Sequence, residues 1–369
     1  MKISITGQNG FIGSHLYNYF IYKRNDIELI EFEKSFFKNE NSLDKIISTL
    51  DVIVHFAALN RHKNEGFLYD YNINLTNSLI ESIKRTNYKG KLIFASSSQE
   101  ELSNAYGRSK KDSRKLFQEA AKLYKFEFSG LVIPNVYGPF CKPDYNSFVA
   151  TFCNNIISEK KIQIAEKKIK LIYIDSLIDK INDQLNVKGN SKIVIKEDTI
   201  ASVNEIYNIL DEFKSQYYNQ GIIPNIDSKF RLNLFNTFSS YIPFNNYFPR
   251  KYDLNTDERG LFSEIIRSNN KGQFSYSITK KGIERGNHFH TRKVERFSVI
   301  SGSAVIQIRK IGSNKIYTYN LNGKEPSYVA MPIWYTHNIK NTGNTPLITL
   351  FWINEFYDEA DADTFFEKV

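Results

Sequence analysis

Gly7-Gln-Asn-Gly10-Phe-Ile-Gly13 stands between a short apolar run at 2–6 and a helical pattern over 14–24. Glycines in such a turn let the backbone approach a pyrophosphate closely, and the helix start offers unpaired N–H groups and the positive end of its dipole. Spaced glycines are common; their place directly after the first strand gives these weight. Phe11 and Ile12 lie inside the same turn, so the whole loop is a candidate dinucleotide cradle.

The next strand, expected over 27–32, ends in Glu33-Lys34, where the adenosine ribose belongs. An acidic side chain there favours the free 2′-hydroxyl of NAD and a basic one the phosphate of NADP. With Lys34 pairing with a phosphate and Glu33 turned to solvent, the reading favours NADPH. Alternation continues with a helix near 42–50, a strand at 52–56, a helix near 72–85 and a strand at 91–95. This rhythm predicts an α/β, Rossmann-like doubly wound parallel sheet with ligands at the carboxyl ends of its strands. Those ends carry Ala57-Ala58-Leu-Asn60-Arg61 and Ser96-Ser97-Ser98, which places the alanines at the cofactor and Asn60 and Arg61 at the substrate. Tyr106-Gly-Arg-Ser-Lys110 opens the helix that runs to about 124. Tyr and Lys at this spacing share a helical face, so the ammonium can lower the phenol's pKa and hold the nicotinamide ribose. Tyr19/Lys23, Tyr247/Lys251 and Tyr276/Lys280 have the same spacing, but only the pair at 106 follows a serine-bearing strand end and starts a helix.

These features resemble the extended short-chain dehydrogenase/reductase family over about residues 1–240. The resemblance implies Ser97 as hydroxyl partner, Tyr106 as proton donor and Lys110 as its tuner, with Ser96 and Ser98 still open as the serine. Asn72-Ile-Asn-Leu-Thr76 resembles the family's Asn-x-x-x-Thr helix start, and Ile172-Tyr-Ile-Asp175 its late Val-Asp-Asp segment. Ile133-Pro-Asn135-Val-Tyr-Gly-Pro139 resembles the loop that grips a nucleotide sugar, which implies substrate contact by Asn135, although the Arg that usually opens the loop is absent. The polar stretch Cys141–Ser147 is expected to lie over the substrate.

From 215 to 249 the sequence is rich in aromatics, expected to pack at a domain seam, and the boundary is set at 245, giving domains 1–245 and 246–369. Beyond it come short alternating strands with turn signals at 269–270, 312–313 and 322–323, as an antiparallel barrel requires. Within them lies Gly282-Ile-Glu-Arg-Gly-Asn-His288-Phe-His290-Thr-Arg-Lys-Val-Glu295. Histidines one residue apart on a strand project to one face, and a Glu returned by the neighbouring strand can complete a facial ligand set. Pro332-Ile-Trp334-Tyr-Thr-His337 offers the last ligand. Order and spacing resemble both motifs of the all-β cupin (jelly-roll) barrel, with Trp334 where the second motif usually has Gly. Zinc is the expected occupant of His288, His290, Glu295 and His337; iron, manganese and nickel suit the same donors.

Asp257-Glu-Arg259-Gly260-x-Phe262-x-Glu264 and Arg285-Gly286-x-His288 resemble segments of the cupin deoxysugar epimerases, which act on nucleotide-linked 4-ketosugars. That resemblance implies phosphate binding by Arg259 and Arg285, with a surface ion pair as the alternative, and makes His288 either base or ligand; the complete donor set favours ligand. Over its whole length, including Lys142-Pro-Asp-Tyr-Asn-Ser147 and Ala150-Thr-Phe-Cys153, the chain resembles the bifunctional capsular-polysaccharide enzymes of the UDP-N-acetyl-L-fucosamine pathway. The resemblance implies that the cupin epimerises C3 of a UDP-2-acetamido-2,6-dideoxy-4-hexulose and the reductase reduces its C4 ketone with NADPH. Two other readings stay open: a reductase with a purely structural, dimerising cupin, and a non-catalytic nucleotide-sugar-binding protein.

Composition narrows the classes. A chain of 369 residues is long for one core, and 41% hydrophobic with 24% charged residues describes a globular protein. The net charge of +9 is scattered, without a basic stripe interleaved with aromatics, so acidic small substrates rather than nucleic acid are expected. No apolar run reaches membrane-spanning length. Cys141 and Cys153 cannot form a disulfide framework, and no charged-then-apolar leader precedes the first strand, so a reducing cytoplasm is expected. By analogy with cupins, a homodimer through the C-terminal domain is expected.

Overall fold

The structure is a computed structural model that describes the chain except residues 253–254, 258–259, 263–264, 267, 269–271 and 356–357; the side chains of 255–257, 260–262 and 273 are likewise outside the description. Among the described residues no helix is long and apolar enough to cross a membrane. Contacts divide the chain into two units, Met1–Thr151 with Ile164–Ile206, and Phe152–Gln163 with Tyr207–Val369.

The first unit follows the strand–helix rhythm. Its elements in order are β1 (Lys2–Thr6), α1 (Phe11–Lys23), β2 (Glu28–Leu29), α2 (Glu40–Ile47), β3 (Val52–His55), α3 (Glu65–Thr86), β4 (Lys91–Ser97), α4 (Ala105–Tyr124) and β5 (Glu127–Ile133). The sheet runs β2-β1-β3-β4-β5 and ends on the strand Asn190–Val194, with every neighbouring pair parallel. From β1 the strand order departs in both directions, so the carboxyl ends of β1 and β3 flank the switch point at which such sheets bind ligands. β3 is wholly buried, as a strand covered on both faces must be.

Two expected elements differ in extent. The strand over 27–32 pairs only at Glu28 and Leu29, because Phe32 turns into a core cluster with Phe36 and Phe37 and the chain leaves the sheet edge through a 3₁₀ turn, Lys34–Lys38. The helix expected at 72 begins at Glu65, where the Asn64 side chain accepts the Phe67 N–H at 3.0 Å and caps it. Asn72 therefore sits inside a helix rather than at its start.

The second unit holds two five-stranded antiparallel sheets of a cupin-like β fold. One runs Arg250–Lys251, Ser327–Met331, Glu295–Ser301, Leu347–Ile353, Gln273–Thr279; the other runs Ile316–Asn322, Ser303–Lys310, Tyr335–Asn341, Glu284–Phe289, Phe365–Phe366. Chain reversals fall at the turns expected near 312 and 322; the one expected at 269–270 lies outside the described residues. The aromatic-rich stretch packs within this unit. Tyr217 meets Phe235, Phe244 meets Tyr317 and Tyr335, and the buried Arg296 donates to Gly221 O at 2.8 Å with its guanidinium 4.1 Å from the Tyr328 ring centroid.

Candidate functional site

The glycine turn opens the first site. Gly7 has φ +76°, and a Cβ there would lie 3.0 Å from Ala57 N; a Cβ on Gly13 would lie 2.2 Å from Gly7 O. These positions need glycine because the first turn of α1 is folded directly onto the loop. Beneath it, Thr6 Oγ1 accepts from Ala57 N at 3.2 Å and lies 2.6 Å from Nδ1 of the buried His55, which fixes the end of β3 against the loop.

A cleft of about 590 Å³ stands over these strand ends. Among the expected residues, Gly7, Gly10, Phe11, Ile12, Gly13, Ala57, Ala58, Asn60, Arg61, Ser97, Tyr106, Lys110 and Asn135 line it, as do Cys141, Lys142, Tyr145 and Asn146 from the polar stretch. Lys34 does not line it and is exposed on its 3₁₀ turn. Glu33 is exposed too, with Ser35 Oγ donating to it at 2.9 Å, while Glu31 reaches Gln8 of the glycine loop at 3.5 Å.

The Ser, Tyr and Lys positions meet because a short 3₁₀ turn, Ser98–Glu101, folds back onto the start of α4. Asn104 caps that helix by accepting Gly107 N–H at 2.7 Å, and a Cβ on Gly107 would lie 2.0 Å from Gln99 O. Underneath, the buried Glu100 takes both Nε and Nη2 of Arg114 at 2.8 Å and also the Ser96 hydroxyl, while Ser96 faces Lys110 O at 3.3 Å. Ser96 is thereby committed. Ser97 Oγ accepts from Gln99 N at 3.1 Å, which leaves its proton free to be donated.

Lys110 Nζ donates to Ala95 O at 2.8 Å and lies 5.8 Å from the Tyr106 ring centroid. Burial pushes its ammonium down to about 8, with Glu100 opposing. The expected lowering of the Tyr106 phenol by Lys110 is not found: burial, with Tyr145 adding to it, holds the phenol above its ordinary value.

Sequence reasoning placed Asn72 by motif alone. Its Oδ1 accepts Leu59 N–H at 2.7 Å and its Nδ2 donates to Leu59 O at 3.0 Å, so it pins the loop that carries Asn60 and Arg61. Thr6, His55, Glu100 and Arg114 escaped it, since only long-range contacts give them a place. Asn104 had a signal, a capping residue just before an amphipathic pattern.

The second site joins the two sheets of the second unit. His288 pairs with His337 across neighbouring strands, His290 follows directly, and Glu295 opens the facing strand. One ligand atom from each of the four lies within 4.8 Å of all the others. Glu295 Oε2 is 3.3 Å from His290 Nε2 and 3.1 Å from His337 Nε2; all three atoms are buried and outside any hydrogen bond among the described residues. Burial opposes ionisation of Glu295, yet the two rings facing it prevail and hold the carboxyl well below the usual carboxylate range. Burial, then His337 and His290, push His288 down to about 4, leaving it neutral with a lone pair to offer. Converging nitrogen and oxygen donors that lack other partners fit a divalent transition metal. Trp334 has φ +61°, its N–H donates to His290 O at 2.8 Å and its ring stacks on Phe289 at 5.4 Å, so the usual Gly of this motif answers to backbone conformation. Arg285 is exposed on the strand of His288; Arg259 lies outside the described residues.

Residues 3–181 match the NAD dependent epimerase/dehydratase family and residues 255–365 the polysaccharide biosynthesis C-terminal domain. A UDP-2-acetamido-2,6-beta-L-arabino-hexul-4-ose reductase of Pseudomonas aeruginosa is 30% identical over 99% of this chain and 98% of its own. The capsular polysaccharide assembling protein CapF of Staphylococcus aureus is 31% identical with a TM-score of 0.62, each chain covered in full. The chain belongs to this CapF-type family of nucleotide-sugar reductase/epimerase-type enzymes. The fold of the family's reductase part is wider: a UDP-glucose 4-epimerase of Thermotoga maritima, 19% identical, aligns with 67% of the chain at a TM-score of 0.56.

Proposed function

We propose that this protein is a bifunctional capsule-biosynthesis enzyme that epimerises C3 of a UDP-2-acetamido-2,6-dideoxy-4-hexulose at the cupin and reduces the C4 ketone in the cleft, towards UDP-N-acetyl-L-fucosamine. The observation that carries this reading is that one chain holds both a serine–tyrosine–lysine cleft and a buried His, His, Glu, His cluster. In the cleft, Gly7, Gly10, Phe11, Ile12 and Gly13 present the helix start to a pyrophosphate, Ala57 and Ala58 flank the cofactor, and Lys110 holds the nicotinamide ribose. A reduced nicotinamide, when bound, supplies the hydride. Ser97 donates to the ketone oxygen and Tyr106 protonates the alkoxide as it forms, for which a phenol kept neutral by burial is suited. Asn60, Arg61 and Asn135 hold the sugar nucleotide. NADPH is the proposed reductant, with Lys34 as partner of its 2′-phosphate; equal affinity for NADH and NADPH would remove that role.

At the cupin, His288, His290, Glu295 and His337 hold a divalent cation, zinc foremost, whose charge would stabilise an enolate oxygen when the proton α to the ketone leaves. Arg259 and Arg285 are the proposed phosphate contacts. Domains 1–245 and 246–369 are proposed as the functional pieces, and limited proteolysis distinguishes a cut near 245 from one near the contact division at 206. A homodimer is proposed through the edge strand Gln273–Thr279, on which Phe274, Tyr276 and Ile278 are 51%, 70% and 58% exposed; light scattering of Tyr276→Lys tests it.

The deciding experiment incubates the UDP-4-ketosugar with the enzyme in deuterated water, with and without NADPH and a chelator, and follows C3 and C4 by NMR. Deuterium is expected at C3 without NADPH and is expected to vanish with chelator. No deuterium at C3 in metal-replete enzyme sinks the epimerase reading, and no C4 reduction with either nicotinamide sinks the reductase reading.

A further inference from the structure

Between His290 and Glu295 the chain turns through residues 291–293, and the end of the chain holds this turn. Asp363, 7% exposed, aims its carboxylate into it. Thr291 N–H donates to the two oxygens at 3.2 and 3.1 Å, Thr291 Oγ1 donates at 2.6 Å, Arg292 N–H at 2.9 Å and Lys293 N–H at 3.3 Å. The carbonyl of the same residue lies 2.6 Å from His290 Nδ1. A carbonyl only accepts, so Nδ1 carries a proton, and in the neutral ring Nε2, the atom facing Glu295, keeps the lone pair a cation requires. Neighbouring contacts repeat the attachment: Lys293 Nζ donates to Ala362 O at 2.7 Å, Arg292 Nη2 donates to Asp361 O at 2.8 Å, and Phe365 and Phe366 pair with Phe289 and His288. Asp363 has φ +42°, in the left-handed region that residues with a Cβ seldom adopt, so the backbone accepts strain to make both contacts at once.

We infer that Asp363 is a positioning residue for the metal cluster, and that docking of residues 361–366 and binding of a divalent cation reinforce each other. This rests on reading the cluster as a metal site. The carboxylate gathers three successive N–H groups of the turn joining two ligands, and the carbonyl sets the tautomer and ring orientation of one of them. Partners of this kind behind metal ligands typically change affinity by about 10–100-fold when altered. Coupling of two binding events is reciprocal, so the cation tightens docking of the segment by the factor with which the segment tightens the cation.

The test uses the full-length protein. Zinc affinity is measured by competition with a chromophoric chelator for wild type and Asp363→Asn, which sets amide N–H against the N–H groups of the turn. Hydrogen exchange of the 291–293 amides is followed with and without zinc, and melting of the metal-free proteins is compared. Expected are zinc binding weakened about 10–100-fold in Asp363→Asn, metal-free melting close to wild type, and exchange at 291–293 slowed by zinc in wild type. Zinc bound as tightly by Asp363→Asn as by wild type overturns the inference, as does exchange indifferent to zinc. Should the variant not fold, the wild-type exchange decides alone. Wild type that takes up no zinc overturns the metal reading itself, an outcome separate from the failure of the variant to differ.

Discussion

The cleft and the His, His, Glu, His cluster are built in opposite ways. The cleft draws its lining from strand ends and loops scattered from Gly7 to Asn146, brought together because a parallel sheet directs the ends of its strands to one side. Its charged machinery stands on buried supports, the Glu100–Arg114 pair and the Thr6–His55 contact, that touch no ligand-facing space. The cluster takes three of its four residues from one reversal of the chain and the fourth from the adjacent strand. A local motif can bring such side chains together at short notice, but the turn that carries it is held by Asp363 far along the chain. A dispersed site depends on the sheet, and a local site on whatever clamps its turn.

Four measurements break or sharpen this contrast. Tyr106→Phe removes the proposed proton donor and is expected to lower C4 reduction about 10²–10⁴-fold while leaving C3 deuterium exchange in place, read by NADPH oxidation beside NMR. Loss of both activities together would mean the two sites are not separable. Next in size is Glu100→Ala, which strands Arg114 in a buried position; side chains here are 5% and 6% exposed. Removal of one partner of such a pair costs about 3–5 kcal/mol, so denaturant unfolding should shift by that amount and cofactor affinity should fall with it. A loss below about 1 kcal/mol would show that the pair does not support the cleft.

Trp334→Gly probes the cluster instead. Glycine relieves about 1–2 kcal/mol of left-handed strain, but truncating a buried Trp costs about 3–5 kcal/mol, so a net loss of about 2 kcal/mol is expected in thermal or urea unfolding. A more stable variant would show that backbone strain outweighs the packing on Phe289. The smallest effect concerns Lys110, whose folded-state value near 8 lies below that of an unfolded lysine. The folded protein sheds this proton first, so its contribution to stability grows as pH rises through 8 towards the unfolded value, whereas the ammonium available to a cofactor ribose is full only below 8. Cofactor affinity, measured by calorimetry, should therefore weaken severalfold between pH 7 and 9 and become flat in Lys110→Met.

Tyr106 and Lys110 were legible because a helix converts their spacing into a shared face, and His288 and His290 because the one-residue spacing of extended chain does the same, with Glu295 returned by the strand that follows the turn. The strand before Glu33 and Lys34 was drawn too long because Phe32 found a better place in the core than in the sheet, and so ended the strand early. Asn72 was given a helix start because the cap at Asn64 went unread. Neither Asp363 nor Arg114 could be assigned, since their partners lie far away in sequence: Thr291 for the first, Glu100 for the second.

By itself the sequence determined the period of each region, the glycines its tight turns demand and most of the side chains that lie together at the cleft and at the His, His, Glu, His cluster, since these follow from local geometry of a strand, a turn or a helix. Only the tertiary structure showed that Ser96 is engaged by Glu100 while Ser97 keeps its proton free, that burial raises the Tyr106 phenol, and that the carbonyl of Asp363 faces His290. Those outcomes depend on desolvation and on contacts between distant segments, and both exist only once the chain has closed around them.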